Sequence, residues 1–204
     1  MDMLSVAERK ITNSDMRERV FKEILNSYFS EGDDNELEVV YAKGNELLKD
    51  STSKSWLAEK YTVFKMLKPG AKAIDCNWTD VKGNKSKLSD LYGKVIYLDV
   101  WATWCGPCCE EIPYMEKLAE HFKNDSRVEL VSVSVDSRQK DWLAKLEKDK
   151  PQWKQFLCKN FCELYNINGI PRFIMINKEG KIITVNAPRP SDPGIIEFIS
   201  EKLN

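Results

Sequence analysis

Val100-Trp101-Ala102-Thr103-Trp104-Cys105-Gly106-Pro107-Cys108 is the stretch of sequence that decides both fold and chemistry. It closes an almost unbroken apolar run, Lys94 to Trp101, which is typical of a strand buried on both faces. A helical pattern over Gly106 to Phe122 follows directly, interrupted by Pro113. Two cysteines therefore lie where a buried strand is predicted to pass into a helix.

This placement favours a reactive thiol. The unpaired N–H groups and the positive end of the dipole at a helix N-terminus stabilise a thiolate, so we expect a lowered pKa for Cys105. Cys108 lies one turn further on and can attack the mixed disulfide that Cys105 would form. Pro107 suits the first helical turn, where its missing N–H is no loss. The alternative is structural, because a Cys-x-x-Cys pair is half of many zinc sites.

The surrounding sequence predicts an α/β fold with a mixed sheet flanked by helices. Ala71 to Trp78 is expected to be extended and to precede a turn at Asp80 to Asn84. Further along, the patterns predict a second buried strand, a charged helix, a hairpin through Lys178-Glu179-Gly180, and a final helix. These elements are Arg127 to Val135, Gln139 to Lys148, Arg172 to Asn177 with Lys181 to Val185, and a helix capped by Asp192 with Ile195, Ile196 and Ile199 facing inward.

Residues 1–68 are predicted to form a helical N-terminal extension, and residues 69–204 the α/β domain. Helix caps are expected at Asn13 or Ser14 and near Ser51 or Ser53, and the polar run Glu31 to Asn35 predicts a turn. Pro69-Gly70 ends the helical pattern. The extension carries no residues that suggest chemistry.

Composition excludes several classes of function. The formal net charge is −1, with 31 basic and 32 acidic residues, so no broad electrostatic case exists for nucleic acid or an anionic membrane. No apolar run approaches the roughly 20 residues of a membrane span, and the first ten residues lack a signal-peptide pattern. The single histidine, His121, is expected to be an ordinary surface residue.

Three motifs together resemble the TlpA/ResA-like thioredoxins of the bacterial cell envelope. Residues 100–108 are similar to the thioredoxin active-site segment, and Asn168-Gly169-Ile170-Pro171-Arg172-Phe173 to the loop that carries the cis-proline of that family. Pro69-Gly70 through Leu88-Ser89-Asp90-Leu91 and Gly93-Lys94 resembles the lead-in that these proteins share with peroxiredoxins. The resemblance implies a thioredoxin-like fold over residues 69–204.

The same resemblance assigns candidate site residues. Pro171 would be the cis-proline against the cysteine pair, and the exposed backbone of Ile170 could pair with an extended substrate. Arg172 stands where thioredoxins usually have Thr. We expect the substrate surface to include these three residues together with Trp104, Gly106 and Pro107. Trp101 is better explained by packing.

Two carboxyl groups are candidates for proton transfer. Asp99 lies within the apolar strand, so burial should raise its pKa. The matching Asp of thioredoxins accepts the proton of the resolving cysteine, although Ser132 stands where those proteins place a Lys. Glu111 matches an active-site Glu of ResA-like proteins. Asp99 could instead be a structural hydrogen-bond acceptor, and Glu111 an ordinary solvated helix residue.

The expected function is reduction of protein disulfides with no cofactor beyond the redox-active disulfide Cys105–Cys108 and no metal. Expected partners are protein disulfide substrates and a membrane or soluble electron donor. The expected location is the cell envelope or periplasm if a signal segment is missing here, and otherwise the cytoplasm. One alternative is a peroxiredoxin-like peroxidase, although Thr103 lies too close to Cys105 for that motif and the expected proline is missing. Another is a zinc-binding or docking module using Cys105, Cys108, Cys158 and Cys162. A second dithiol, Cys158 with Cys162, is a further hypothesis.

Overall fold

The computed structural model of the chain describes residues 2–31 and 36–203. Most of the turn predicted over Glu31 to Asn35 lies outside the described residues. The chain divides into two compact units, Met1–Met66 and Leu67–Asn204.

The first unit is built from helices. Their bounds are α1 Asp2–Lys10, α2 Ser14–Glu31, α3 Leu37–Leu47 and α4 Ser51–Leu67. Asn13 caps α2, because its Oδ1 accepts the Met16 N–H at 2.9 Å, as predicted. The cap of α4 is Asp50, which accepts the Ser53 N–H at 2.8 Å, so the prediction of a serine cap there was wrong. Buried apolar residues from α1, α2 and α3 form one core with Leu57 of α4.

The second unit is a mixed sheet with helices on its faces, which confirms the predicted fold class. Strand order is β2-β1-β5-β4-β3-β6-β7, with β3, β4 and β5 parallel and the other pairs antiparallel. The strands are β1 Asn77–Asp80, β2 Lys85–Lys87, β3 Val95–Trp101, β4 Val128–Ser134, β5 Lys154–Leu157, β6 Arg172–Ile176 and β7 Ile182–Thr184. The helices are α5 Gly106–Phe122, α6 Gln139–Asp149, α7 Phe161–Leu164 and α8 Ile195–Glu201, with a 3₁₀ helix at Leu88–Leu91.

The alternating direction of side chains along β3 determines which residues lie beneath α5, the helix that follows Cys105. Val95 and Tyr97 pack in one core with Met115 and Leu118 of α5 and with residues of α8. Side chains two residues apart on a strand share a face, so Asp99 lies on this face too. At the end of β3, Trp101 belongs to a second cluster, with Trp142 and Leu146 of α6 and Leu157.

Several local predictions needed correction. Strand β1 begins only at Asn77, and the preceding segment contributes an isolated bridge between Lys72 and Lys181. The short, charged strand β2 gave no apolar signal. The cap at Asp192 predicts a helix that begins at Pro193, but α8 begins at Ile195, although Asp192 Oδ1 does accept the Gly194 N–H at 2.8 Å. Ile196 is 39% exposed and does not face the core, because successive helical residues lie about 100° apart and the buried side of α8 is set by Ile195 and Ile199.

The hairpin turn between β6 and β7 supports a stability prediction. Gly180 has φ +76°, and a Cβ built there would lie 2.4 Å from Cε2 of the Tyr92 ring. Gly180→Ala should therefore lower the free energy of unfolding by about 2–4 kcal/mol, through backbone strain and steric overlap. Urea unfolding measures this. Gly83→Ala is the matched control, because Gly83 has φ +86° with nothing within 4 Å. Equal losses in both variants would mean that the Tyr92 ring moves aside freely.

Candidate active site

The cysteine pair lies at the junction of β3 and α5. Cys105 and Cys108 form a disulfide with their Cα atoms 5.3 Å apart. Cys105 is the N-cap residue of α5, and its Sγ accepts the Cys108 N–H at 3.2 Å. The sulfur thus lies at the positive end of a 17-residue helix, where a thiolate is stabilised once the disulfide is reduced.

The proline loop directly precedes β6, the antiparallel neighbour of β3. The Ile170–Pro171 peptide bond is cis, and the Ile170 carbonyl oxygen lies 3.7 Å from Cys105 Sγ. Arg172 begins β6, and its pairing with Val100 of β3 brings this loop to the cysteines. Residues 65 positions apart therefore meet at one sulfur.

The residues around the cysteine pair differ in their exposure to solvent. Trp104 is 70% exposed, and Gly106 and Pro107 are exposed beside it. Cys105 and Cys108 are themselves buried. Trp101 is buried in the core with Trp142, in agreement with a packing role.

Asp99 is a buried carboxyl on the face of β3 that α5 covers. Its register partner on β4 is Ser132, the residue that the resemblance placed near it, and Ser132 Oγ donates to Asp99 Oδ2 at 2.9 Å. Trp153 Nε1 in turn donates to Ser132 Oγ at 2.8 Å. Burial raises the pKa of Asp99 to about 7, and the nearby Glu111 charge adds to the rise. Asp99 can therefore exchange a proton near neutral pH.

Glu111 is held by hydrogen bonds within the protein rather than solvated. Its side chain is buried, and it accepts the Ser191 N–H at 3.0 Å and the Ser191 Oγ–H at 2.9 Å. The Arg189 guanidinium lies 3.6 Å from Oε1. The interpretation of Glu111 as a solvated helix residue was wrong. Since Cys108 and Glu111 are three residues apart on α5, they share a face of that helix.

The hypothesis of a second dithiol, Cys158 with Cys162, stays a prediction. Cys158 lies beside Cys76 near the paired ends of β1 and β5, while Cys158 and Cys162 are both free thiols. The Cys76 thiol donates to Cys158, which raises the pKa of Cys76 and lowers that of Cys158. The structure thus gives no Cys158–Cys162 disulfide.

The zinc hypothesis requires a cluster of metal-ligating side chains. Within residues 2–31 and 36–203, no three His, Cys, Asp or Glu side chains are grouped so that they could hold a metal ion. The four cysteines proposed as ligands are therefore not brought together.

Sequence reasoning missed three polar residues near the site. Ser191 and Arg189 hold Glu111 from 80 and 78 positions away, and buried Asp136 accepts both the N–H and the hydroxyl of Thr103. These contacts depend on tertiary packing, and no motif spacing in the sequence announces them.

Comparison with known proteins decides the family. The sequence profile of the Redoxin family matches residues 68–195. The chain belongs to the Redoxin family. Its fold is thioredoxin-like, and curated relatives that it matches are thiol–disulfide oxidoreductases named ResA. It is 34% identical to the thiol–disulfide oxidoreductase ResA of Bacillus subtilis over 111 residues, which cover 52% of this chain and 60% of that protein. The chain thus spans about 60% of the length of that curated relative.

Solved structures agree with this assignment. A crystal structure of a candidate thiol–disulfide oxidoreductase from Bacteroides vulgatus is 40% identical, with a TM-score of 0.64, over 67% of this chain and 98% of that one. A thiol:disulfide interchange protein from Bacteroides sp., solved in solution, is 32% identical with a TM-score of 0.60, over 68% and 91% of the two chains. Both similarities cover about two thirds of this Redoxin-family chain, and neither accounts for all of it.

Proposed function

We propose that this oxidoreductase reduces disulfides of protein substrates through Cys105 and Cys108. The observation that carries the proposal is the cysteine pair at the N-terminus of α5, faced by the Ile170 carbonyl oxygen. The Cys105 thiolate attacks one sulfur of the substrate disulfide and expels the other as a thiolate. The Cys108 thiolate then attacks Cys105 Sγ and releases the second substrate thiolate, which leaves the Cys105–Cys108 disulfide. An electron donor returns two electrons and two protons to regenerate the dithiol.

The substrate would lie across the exposed side of the pair. The backbone of Ile170, next to cis-Pro171, is positioned to pair with an extended segment whose disulfide meets Cys105. Trp104, exposed beside the site, would give that segment an apolar contact. Arg172, half-buried after the proline, would set part of the preference among substrates.

Cys108 must lose its proton before it can attack, and Asp99 is the proposed acceptor. Its raised pKa keeps it able to accept a proton near neutral pH. Glu111 already accepts two hydrogen bonds from Ser191, which makes it the weaker base. We assign Glu111 a secondary part in this transfer.

Direction and place are finer proposals. Gly106-Pro107 between the cysteines is similar to the reducing thioredoxins, which supports a reductase. TlpA/ResA-like membership supports work in the bacterial cell envelope, with a membrane or soluble protein as electron donor. Among the described residues, no helix combines the length and apolar character needed to cross a bilayer.

Insulin reduction by dithiothreitol tests the proposed function. We expect the protein to speed precipitation of the freed insulin chain severalfold over dithiothreitol alone, because the Cys105 thiolate is the better nucleophile at neutral pH. Cys109→Ser should keep most of this activity, since Cys109 is neither disulfide-bonded nor at the helix cap. A rate no faster than dithiothreitol alone would reject the reductase proposal. Equal loss in Cys109→Ser would mean that the resolving cysteine is misassigned.

A further inference from the structure

The loop between β3 and α5, Ala102–Trp104, carries the nucleophile but is weakly held by packing. Trp104 is 70% exposed and Thr103 is only half-buried, so this segment gains little apolar burial after Ala102. A loop that must present a sulfur at a fixed place needs another source of order, because small displacements of reacting groups cost rate steeply.

Hydrogen bonds from the end of β4 supply that order. The Asp136 carboxylate accepts the Thr103 N–H at 3.0 Å and the Thr103 Oγ1–H at 2.7 Å. It also accepts the Ser134 Oγ–H at 2.7 Å, and the Asp136 N–H donates back to Ser134 Oγ at 3.1 Å. Both oxygens of Asp136 are thus used, and two of the three donors come from Thr103.

Asp136 is itself fixed. It is 2% exposed, and its side chain accepts hydrogen bonds from Thr103 and Ser134, as a buried polar group requires. The Val135 N–H donates to the Trp101 carbonyl at 2.9 Å, which extends the contact between β3 and β4 up to the loop. Asp136 therefore forms a rigid support beneath Thr103.

We propose that Asp136 and Thr103 are positioning residues that hold Cys105 at the helix N-terminus. Thr103 lies two residues before the nucleophile, and the Cys105 N–H donates to the Ala102 carbonyl at 3.1 Å. Fixing Thr103 thus fixes the turn that directs Cys105 Sγ at the Cys108 N–H. The inference rests on the proposed exchange at Cys105 and adds what keeps that thiolate stabilised.

Thr103→Val tests the contact without changing any charge. Valine has nearly the shape of threonine but cannot donate to Asp136, so the loop loses one of its two bonds. We expect the apparent pKa of Cys105 to rise, so that the thiolate fraction at pH 6 falls about two- to fivefold, the size of helix-terminus effects. The equilibrium with glutathione should shift toward the disulfide by a similar factor, because the reduced form loses stabilisation. Thr103→Ser keeps the hydroxyl and should stay within about twofold of wild type.

Two measurements distinguish a positioning role of Thr103 and Asp136 from a purely structural one, and neither depends on the proposed reductase activity. The first is the pKa of Cys105, obtained from the alkylation rate of Cys105 in the protein against pH and quantified on the peptide that contains it. The second is the equilibrium with glutathione. Neither measurement needs insulin turnover. In an Asp136→Ala background, adding Thr103→Val should change neither value further, since the partner is already gone. The inference is overturned if Thr103→Val lowers only the unfolding midpoint and leaves both values unchanged. It is also overturned if the effects of the two substitutions on these values are additive. If Asp136→Ala does not fold, the Thr103 variants decide alone.

Discussion

Replacement of Cys105 by serine is expected to abolish insulin reduction, with a loss of about a thousandfold or more. A serine hydroxyl is not ionised at neutral pH and does not attack sulfur, so no mixed disulfide can form. Helix α5 loses little in this variant, because serine is itself a favoured N-cap residue. The catalysed rate, measured after subtraction of the rate with dithiothreitol alone, should therefore fall to zero while the thermal unfolding of the reduced protein stays nearly unchanged.

Cys108→Ser is the matched variant and should behave differently. It keeps the nucleophile and removes the thiol that resolves the intermediate. We expect it to attack substrate disulfides and to accumulate as a mixed disulfide through Cys105, which non-reducing electrophoresis and mass spectrometry detect. The trapped proteins would also reveal the physiological substrates. Trapping through another cysteine, or insulin reduction that survives in Cys105→Ser, would contradict the assignment of the nucleophile.

The part of the site that lies in consecutive residues could be predicted from the sequence. A buried strand, a cysteine at its end and a helical pattern after it locate Cys105, and the loop motif adds Pro171. The placement of Ser132 near Asp99 came from the resemblance to thioredoxins, and the parallel register of β3 and β4 sets the two residues opposite each other. For Cys105, a short-range pattern in the sequence was enough.

The contacts that tune the site could not be predicted in this way. Ser191 meets Glu111 only because the segment after β7 returns to α5, and Asp136 meets Thr103 only because β4 ends beside that loop. Cys158 meets Cys76 because β5 pairs with β1. Contacts of this kind depend on the pairing of distant strands, which leaves no periodic signal in the sequence.

Asp99→Asn is expected to change stability with pH in a defined direction. The pKa of Asp99 is about 7 in the folded protein, against an ordinary value of 3.8. Between these two values the unfolded chain has released the proton that the folded protein still binds, so wild-type stability falls as pH rises from about 4 to about 7. A shift of this size corresponds to on the order of 4 kcal/mol. The variant lacks this loss and should be at least as stable as wild type at pH 7 and above.

Urea unfolding of both proteins from pH 4 to pH 9 measures the difference. The advantage of Asp99→Asn should grow up to about pH 7 and then level off, because above that value Asp99 is ionised in both states. An asparagine oxygen can still accept the Ser132 hydroxyl, so the hydrogen bond itself is not the variable. A variant that is less stable at every pH would identify Asp99 as a structural hydrogen-bond acceptor.

The same variant should resolve mixed disulfides more slowly, by on the order of 100-fold, because Cys108 loses its proton acceptor. Stopped-flow decay of the mixed disulfide at Cys105 measures this. The wild-type decay rate should decrease as the pH is lowered below about 7, because Asp99 becomes protonated. Ser132→Ala is the control: it keeps the carboxyl but removes the hydrogen bond that lowers the pKa of Asp99, so this fall should move to higher pH. Unchanged decay in Asp99→Asn would transfer the role to Glu111. Ser191→Ala, which removes the hydroxyl donor to Glu111 Oε1 and keeps the backbone N–H donor to Oε2, would then be the variant that changes the rate.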